Sequence, residues 1–330
     1  MTKKQLLSRL GQIILVLLGI SFITFALVML APGDVARQMI AGNEDIIVSQ
    51  AEIDALRAEL GLDKPFFFQY LDWLGRALHG NLGFSFMAKK PVVEELFERL
   101  PGTILLSLAS IAMMLVVSIP AGIYSAVKRG GWFDYIVRSF TFLGVSMPGF
   151  WVGLMLLWIF GLQLDLLPIV GGTIGVDTII LPAATLAFAM SSKYTRQVRA
   201  AILEELHQDY VVGARARGMS ESHILWKEVL PNALLPLITL LGLSLGNLLG
   251  GAAVIEIVFQ WPGLGRLAIE AITYRDFQLV QGVVVWIALM YMVINLIVDI
   301  SYNYLDPRLR KVRYCLLYTS PSPRDRSVSR

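Results

Sequence analysis

Six apolar stretches separated by polar connections divide this sequence along its length. A helix of about 20 predominantly apolar residues crosses a bilayer core about 30 Å thick. The pattern therefore predicts an all-α polytopic membrane protein with six transmembrane helices. The predicted spans are residues 11–31, 103–127, 135–162, 179–191, 233–258 and 279–302.

The first span resembles a signal peptide only in its charged start, at Lys3 and Lys4. Its apolar run is longer than a signal-peptide core, and residues 32–34 do not resemble a small-residue cleavage site, so we expect an uncleaved helix. The fourth span is short. We expect its helix to continue from Lys193 to Arg199, with these long cations reaching the water interface.

Some residues inside the spans interrupt their apolar pattern. Pro120, Pro148 and Pro236 are expected to kink or loosen the helices that contain them. Asn247 and Glu256 lie in the fifth span. An ionisable or polar group at membrane depth is a candidate for function, so both are possible residues of a translocation pathway. The alternative for Glu256 is that it lies close enough to the end of the span to be solvated.

The distribution of cations among the connections sets the predicted orientation. Residues 163–178, between the third and fourth spans, contain no Lys or Arg. Cations instead occupy the second–third connection, the fourth–fifth connection and the stretch after the last span: Lys128 and Arg129; Lys193, Arg196, Arg199, Arg215, Arg217 and Lys227; Arg308, Arg310, Lys311 and Arg313. The positive-inside rule then places both termini in the cytoplasm.

Composition agrees with a membrane location and excludes several functional classes. Hydrophobic residues make up 56% of the chain and charged residues only 16%, against about 25% charged in soluble domains. The net charge of +3 is too small and too scattered for a nucleic-acid groove. One cysteine, Cys315, excludes a disulfide framework, and the three histidines lack metal-ligand spacing. We expect no cofactor and no metal.

The predicted organisation has four parts. Residues 1–31 form the cytoplasmic N-terminus and first transmembrane helix, and residues 32–100 an extracytoplasmic segment. Residues 101–311 form a core of five transmembrane helices with a cytoplasmic loop at about residues 191–231. Residues 312–330 form a tail.

Helical patterns occur in both soluble parts. Ser49 and Glu52 fit a capping box that opens a helix over residues 51–60, and an aromatic-rich stretch follows at residues 66–74. These aromatic residues either pack a small extracytoplasmic cap or hold the segment against the membrane interface or a partner. In the cytoplasmic loop, Gly218 can adopt the positive φ that a helix C-terminus needs.

The cytoplasmic loop resembles the coupling motif of ABC importer permeases, the EAA motif. Ala214 and Gly218 match its third alanine and its glycine, and Leu230 and Pro231 follow Gly218 at the spacing that the motif requires. Three positions depart from the general pattern: Val212, Gly213 and Glu228 replace the glutamate, the middle alanine and the isoleucine. Tyr210 followed by Ala214-Arg215-Ala216-Arg217-Gly218 fits the variant typical of the dipeptide, oligopeptide and nickel branch.

The same branch is resembled over about residues 5–311. The matching stretches include Pro32-Gly33-Asp34, Gly80-Asn81-Leu82-Gly83-Phe84-Ser85, Gly144-Val145-Ser146-Met147-Pro148, Trp261-Pro262-Gly263-Leu264-Gly265 and Asp306-Pro307-Arg308. Residues 312–330 depart from it, and we expect a tail that is non-native or disordered.

The resemblance implies the fold of a type I ABC importer permease in a bacterial cytoplasmic (inner) membrane. It implies four kinds of partner or surroundings: a second homologous permease subunit, two cytoplasmic ATPase subunits, an extracytoplasmic solute-binding protein and the lipid bilayer, with no nucleic acid. The ATPase-coupling residues that it implies are Asp209, Tyr210, Ala214, Arg215, Ala216, Arg217, Gly218, Leu230 and Pro231.

The sequence leaves alternatives open for both the solute and the energy source. The resemblance favours di- or oligopeptides, with a nickel chelate as the alternative solute. The chain has no Walker A sequence and no nucleophile–base constellation, so we expect no enzyme activity in this chain and ATP hydrolysis on separate subunits. A secondary transporter driven by an ion gradient is the alternative from another class, and it predicts inverted repeats and midplane carboxylates.

Overall fold

The computed structural model describes residues 3–30, 36, 49–60, 63–169 and 172–305. The predicted tail at residues 312–330 and the stretches at residues 32–34 and 306–308 lie outside the described residues. The helices and strands in chain order are α1 (Lys3–Leu30), α2 (Gln50–Leu60), α3 (Phe66–Leu78), β1 (Phe84–Ser85), β2 (Lys90–Pro91), α4 (Val92–Val127), α5 (Trp132–Ser146), α6 (Gly149–Leu156), α7 (Val176–Leu206), α8 (Asp209–Ala216), α9 (Glu221–His223), α10 (Leu230–Gly251), α11 (Ala253–Val258), α12 (Leu264–Thr273) and α13 (Phe277–Leu305). Two π-helical turns, Leu157–Gln163 and Ile224–Val229, follow α6 and α9.

Three helices of the described chain are long and apolar enough to cross a bilayer by themselves: Leu7–Leu30, Val92–Val127 and Phe277–Ser301. A bent pair, Trp132–Ser146 with Gly149–Gln163, gives a fourth if it counts as one span. The predicted count of six is therefore not confirmed. The predicted extension of the fourth span is confirmed, because α7 continues to Leu206.

The third predicted span is broken at Pro148. The two halves, α5 and α6, are bent by 105°. Proline disfavours helical geometry in the residue before it, and Met147 is extended, with φ −90° and ψ 134°. The kink expected at Pro148 is thus confirmed, and the bend is large enough to end one helix and begin another.

Glycines allow the helices of the core to approach closely. The helices α4 and α7 pack along much of their length. A Cβ at Gly122 of α4 would lie 2.7 Å from the side chain of Val198 in α7, and a Cβ at Gly144 of α5 would overlap Ser192. At these points α7 therefore packs against the backbone of both neighbours.

Aromatic residues of α3 pack on α1. Tyr70 lies edge-on to Phe22 and Phe25, with ring centroids 5.2 and 5.6 Å away. Its hydroxyl lies 2.9 Å from Ser21 Oγ. Since these contacts join α3 to the first helix, the packing interpretation of the aromatic stretch holds for Tyr70, whereas Phe67 on the same helix is exposed.

The β1–β2 hairpin is fixed to the start of α13. Asp276 accepts hydrogen bonds from Ser85 Oγ at 2.7 Å and Met87 N at 3.2 Å, and from Leu279 N at 3.1 Å. Phe84 N donates to the side chain of Gln278 at 2.7 Å.

The capping box predicted before α2 is partly formed. Of its two hydrogen bonds, the one from Ser49 N to Glu52 Oε2 is present, at 3.2 Å.

Candidate functional site

The predicted coupling loop folds around α8, a helix with one buried and one open face. Val211 and Ala214 are 0% and 1% exposed and pack with Ile202 of α7 and with Ile224 and Val229 of the following turn. A helix of eight residues is too short to be stable without such packing. The position of α8 is therefore set by the core beneath it.

The outward face of α8 is small and open. Val212 is 58% exposed, Ala216 is exposed, and a Cβ at Gly213 would meet no atom within 4 Å. Small side chains allow another backbone to approach closely. Asp209 is exposed in the first turn, where a carboxylate is favoured by the helix dipole.

Gly218 ends α8 as the sequence predicts. Its φ is +77°, a region that glycine reaches without steric cost. Gly218 N donates to Arg215 O at 2.9 Å and Met219 N donates to Ala214 O at 3.2 Å. This pair of bonds is a Schellman motif, which satisfies carbonyl groups at the helix end.

Two arginines of the motif have different surroundings. Arg215 makes a two-pronged pair with Glu221, with Nε–Oε1 at 2.7 Å and Nη2–Oε2 at 3.1 Å. Hydrogen bonding from Arg215 lowers the pKa of the Glu221 carboxyl. Arg217 is exposed and, within the described chain, has only a 3.9 Å contact to Met219 Sδ. Of the two, Arg217 is the more available to an external acidic group.

Tyr210 joins α8 to the end of α7, and Leu230 and Pro231 lie at the start of the next long helix. The Tyr210 hydroxyl donates to Glu205 Oε2 at 2.6 Å. Burial and this hydrogen bond raise the pKa of Tyr210 to about 12. Leu230 and Pro231 begin α10, where proline in the first turn removes no helical hydrogen bond.

A buried ion pair that the sequence reasoning missed lies beneath this loop. Arg199 of α7 donates Nε to Asp134 Oδ1 at 2.8 Å and Nη2 to Oδ2 at 3.0 Å. Gly130 N donates to the same carboxylate at 3.0 Å, and Ser125 Oγ also hydrogen-bonds to it. Asp134 is 1% exposed. The pair therefore ties together the ends of α4, α5 and α7.

A signal for this pair exists in the sequence. Asp134 is the only acidic residue between Glu98 and Asp165. A lone carboxylate among apolar residues requires a cation and hydrogen-bond donors if it is buried. The cation is 65 positions away, so the pattern indicates that a partner is needed without saying which one.

The second predicted site, at Glu256, is a helix cap. Glu256 is 0% exposed, so the expectation that it is solvated is wrong. Its Oε2 accepts from Arg266 N at 2.8 Å, and Leu264 N donates to Thr103 Oγ1 at 2.7 Å. These donors are orphan N–H groups at the start of α12, which has no capping side chain of its own at Gly263.

Glycines make room for this arrangement. A Cβ at Gly263 would overlap the Glu256 carboxylate, and a Cβ at Gly265 would lie 2.7 Å from Ala253 Cα. The side chain of Asn247 lies outside the described part of the structure. A pathway role for Asn247 and Glu256 therefore stays a prediction.

Within the described residues, no group of three or more His, Cys, Asp or Glu could hold a metal ion.

Comparison with known proteins identifies two family models on this chain. The "Binding-protein-dependent transport system inner membrane component" matches residues 118–311, and the N-terminal membrane component of such systems matches residues 2–109.

Relatives with names match nearly the whole chain. A dipeptide transport system permease protein of Alkalihalophilus pseudofirmus is 37% identical, covering 92% of this chain and 98% of the relative. A glutathione transport system permease protein of Pectobacterium atrosepticum is 40% identical with the same coverage. A dipeptide transport system permease protein of Escherichia coli K12 is 37% identical, again over 92% and 98%.

A solved structure shares the fold. The inward-facing MetNI methionine ABC transporter matches with a TM-score of 0.54 and 19% identity, over 64% of this chain and 96% of that one. The all-α membrane fold of a type I importer permease is thus confirmed. From the family models and the full-length relatives together, the chain belongs to the binding-protein-dependent transport family, as an inner membrane permease component.

Proposed function

We propose that this chain forms half of the translocation pathway of an ATP-driven importer for small peptides. The observation that carries the proposal is α8, whose inner face is anchored by Val211 and Ala214 while its outer face is lined by small residues. Such a helix is suited to dock in a groove of a separate ATPase subunit. The chain would work with a second homologous permease, two ATPase subunits and an external solute-binding protein.

The coupling between the ATPase and the membrane helices follows from the packing of α8 on the rest of the chain. Because its buried face packs with α4, α7 and α10, a displacement of α8 is passed to those helices. ATP binding moves the equilibrium between inward-open and outward-open states only through a difference in affinity for the two states. The closed, ATP-bound ATPase pair supplies that difference if it binds α8 more tightly in one of the two states of the permease.

Peptides are the favoured solute. The relatives above are named for dipeptides and for glutathione, which is itself a small peptide-like molecule. The nickel chelate has no such support. An ion-gradient mechanism is disfavoured because the chain belongs to a family of binding-protein-dependent systems.

A bulky substitution on the outer face of α8 tests the docking. Ala216→Trp should abolish co-purification of the ATPase subunits and peptide uptake, while the variant still inserts in the membrane. Val176→Trp is the matched control, because Val176 is 81% exposed at the opposite end of α7. Normal ATPase assembly with Ala216→Trp would refute the assignment.

Orientation is tested separately. A variant with Cys315→Ser and Ala216→Cys carries its single thiol on α8. A membrane-impermeant maleimide should label this thiol only after the cytoplasmic side is opened. Labelling in intact cells would place α8 outside and overturn the proposal.

A further inference from the structure

A cleft between α5 and α7 lies next to the Asp134–Arg199 pair. It has a volume of about 570 Å³, and its lining includes Tyr135, Arg138, Ser139, Phe142, Leu143 and Arg196. Two of these residues are arginines, one on each helix. The cleft takes no part in the docking of α8 proposed above.

The two arginines lie deeper along the helices than the ion pair. Arg138 follows Asp134 by four residues in α5, and Arg196 precedes Arg199 by three residues in α7. The two helices run in opposite directions, because Asp134 meets Arg199 while Gly144 meets Ser192. At 1.5 Å per residue, both arginines are displaced by about 5 Å from the pair toward the apolar part of the helices.

Neither arginine has a carboxylate partner among the residues that the structure describes. The guanidinium of Arg138 lies 5.9 Å from the ring centre of Tyr135, and Arg196 is exposed. Both arginines are exposed. Two exposed cations that line one cleft near the membrane interface attract an anionic group.

The rim of the cleft indicates where that anion comes from. Tyr135, Phe142 and Leu143, which line the cleft, are 60%, 70% and 57% exposed. Trp132, at the start of α5, is 75% exposed. Tryptophan and tyrosine are enriched where a protein crosses the headgroup level, and large exposed apolar side chains face acyl chains. This combination of exposed aromatic and apolar side chains with two arginines is typical of a site at the membrane interface, where basic pockets between transmembrane helices on the cytoplasmic side bind anionic headgroups.

We propose that this cleft binds the phosphate of an anionic phospholipid between Arg138 and Arg196, with acyl chains along Phe142 and Leu143. The ligand lies in the leaflet on the side of the α4–α5 connection. The site requires the membrane-spanning fold but not the docking of α8 on an ATPase. Failure of one proposal therefore leaves the other standing.

Lipid retention by the full-length chain tests the site. The detergent-purified protein is incubated with mixed micelles of phosphatidylcholine and phosphatidylglycerol, and the lipids that stay bound through gel filtration are quantified by mass spectrometry. We expect phosphatidylglycerol to be retained over phosphatidylcholine by about tenfold. Arg138→Gln with Arg196→Gln should remove this preference, and Arg138→Lys with Arg196→Lys should keep most of it.

Controls separate the cleft from general surface charge and from folding defects. Arg129→Gln removes an exposed cation of the neighbouring connection and should leave the preference unchanged. Wild-type protein without a preference for phosphatidylglycerol would refute the site whatever the variants do. A well-folded double glutamine variant that keeps the preference would also refute it. Displacement of the lipid by inorganic phosphate or a free dipeptide would assign the cleft to a soluble anion and overturn the lipid proposal.

Discussion

Arg199 and Asp134 form a bidentate ion pair across α5 and α7, at 2.8 and 3.0 Å. Arg199 lies two turns before the end of α7, and α8 begins three residues after that end. The pair therefore holds the base from which the proposed coupling helix projects. Its carboxylate also accepts a hydrogen bond from Gly130 N, so the same group links α5, α7 and the α4–α5 connection.

Removal of one partner should be severely destabilising. Asp134→Asn leaves the guanidinium of Arg199, whose side chain is 20% exposed, without its counter-charge. Breaking a fully buried pair costs about 3–5 kcal/mol, so we expect a loss at or below the lower end of that range. Thermal unfolding of the purified chain measures this loss. The exchange variant Asp134→Arg with Arg199→Asp should recover part of it. As a control, Arg215→Gln breaks an exposed pair and should leave the unfolding midpoint unchanged; an equal loss in both variants would contradict the special role of Asp134.

Gly213 within α8 and Gly218 just after its end should respond in opposite directions to the same substitution. Gly218→Ala forces an L-residue into φ +77° and should destabilise the loop by about 1–2 kcal/mol. Gly213→Ala adds a methyl group to open space in a helix and should stabilise the isolated chain by about 1 kcal/mol. Unfolding midpoints of the two variants check both signs. ATPase co-purification then tells whether the methyl group at position 213 obstructs docking.

Glu256 should behave as a structural cap. Glu256→Ala leaves the N–H of Arg266 without its acceptor, and an unsatisfied buried donor costs about 1–3 kcal/mol. Glu256→Gln retains one acceptor oxygen and should cost less. Unfolding in detergent measures both. If instead Glu256→Ala kept full stability and altered which peptides are transported, Glu256 would belong to the translocation pathway.

Tyr210 should contribute to stability in a way that depends on pH, and this contribution should be lost above the ordinary pKa of tyrosine. Burial and Glu205 raise its pKa from 10.0 to about 12, so the folded state binds a proton more tightly than the unfolded state. This contribution is complete below pH 10 and is lost as the pH rises to about 12. Tyr210→Phe should therefore show a shallower decline in unfolding midpoint over that interval. Parallel declines for the wild type and Tyr210→Phe would show that other groups cause the loss.

Local features of the sequence determined much of the scaffold. The apolar lengths of α1, α4 and α13 predict membrane spans because hydrophobic length is a property of each segment alone. The positive φ of Gly218 and the capping bond at Ser49 were predictable for the same reason, since each involves only residues within one helical turn.

Only the tertiary structure decided the buried polar groups. Glu256 meets Thr103 from 153 residues away, and Asp134 meets Arg199 across 65. The sequence shows that such carboxylates need donors, but which donors come near depends on how the helices pack. Proline at position 148 predicted a kink, whereas its 105° angle is set by the contacts of α5 and α6 with α7. Helix packing determines which residues distant in sequence become partners, and local sequence patterns do not contain that information.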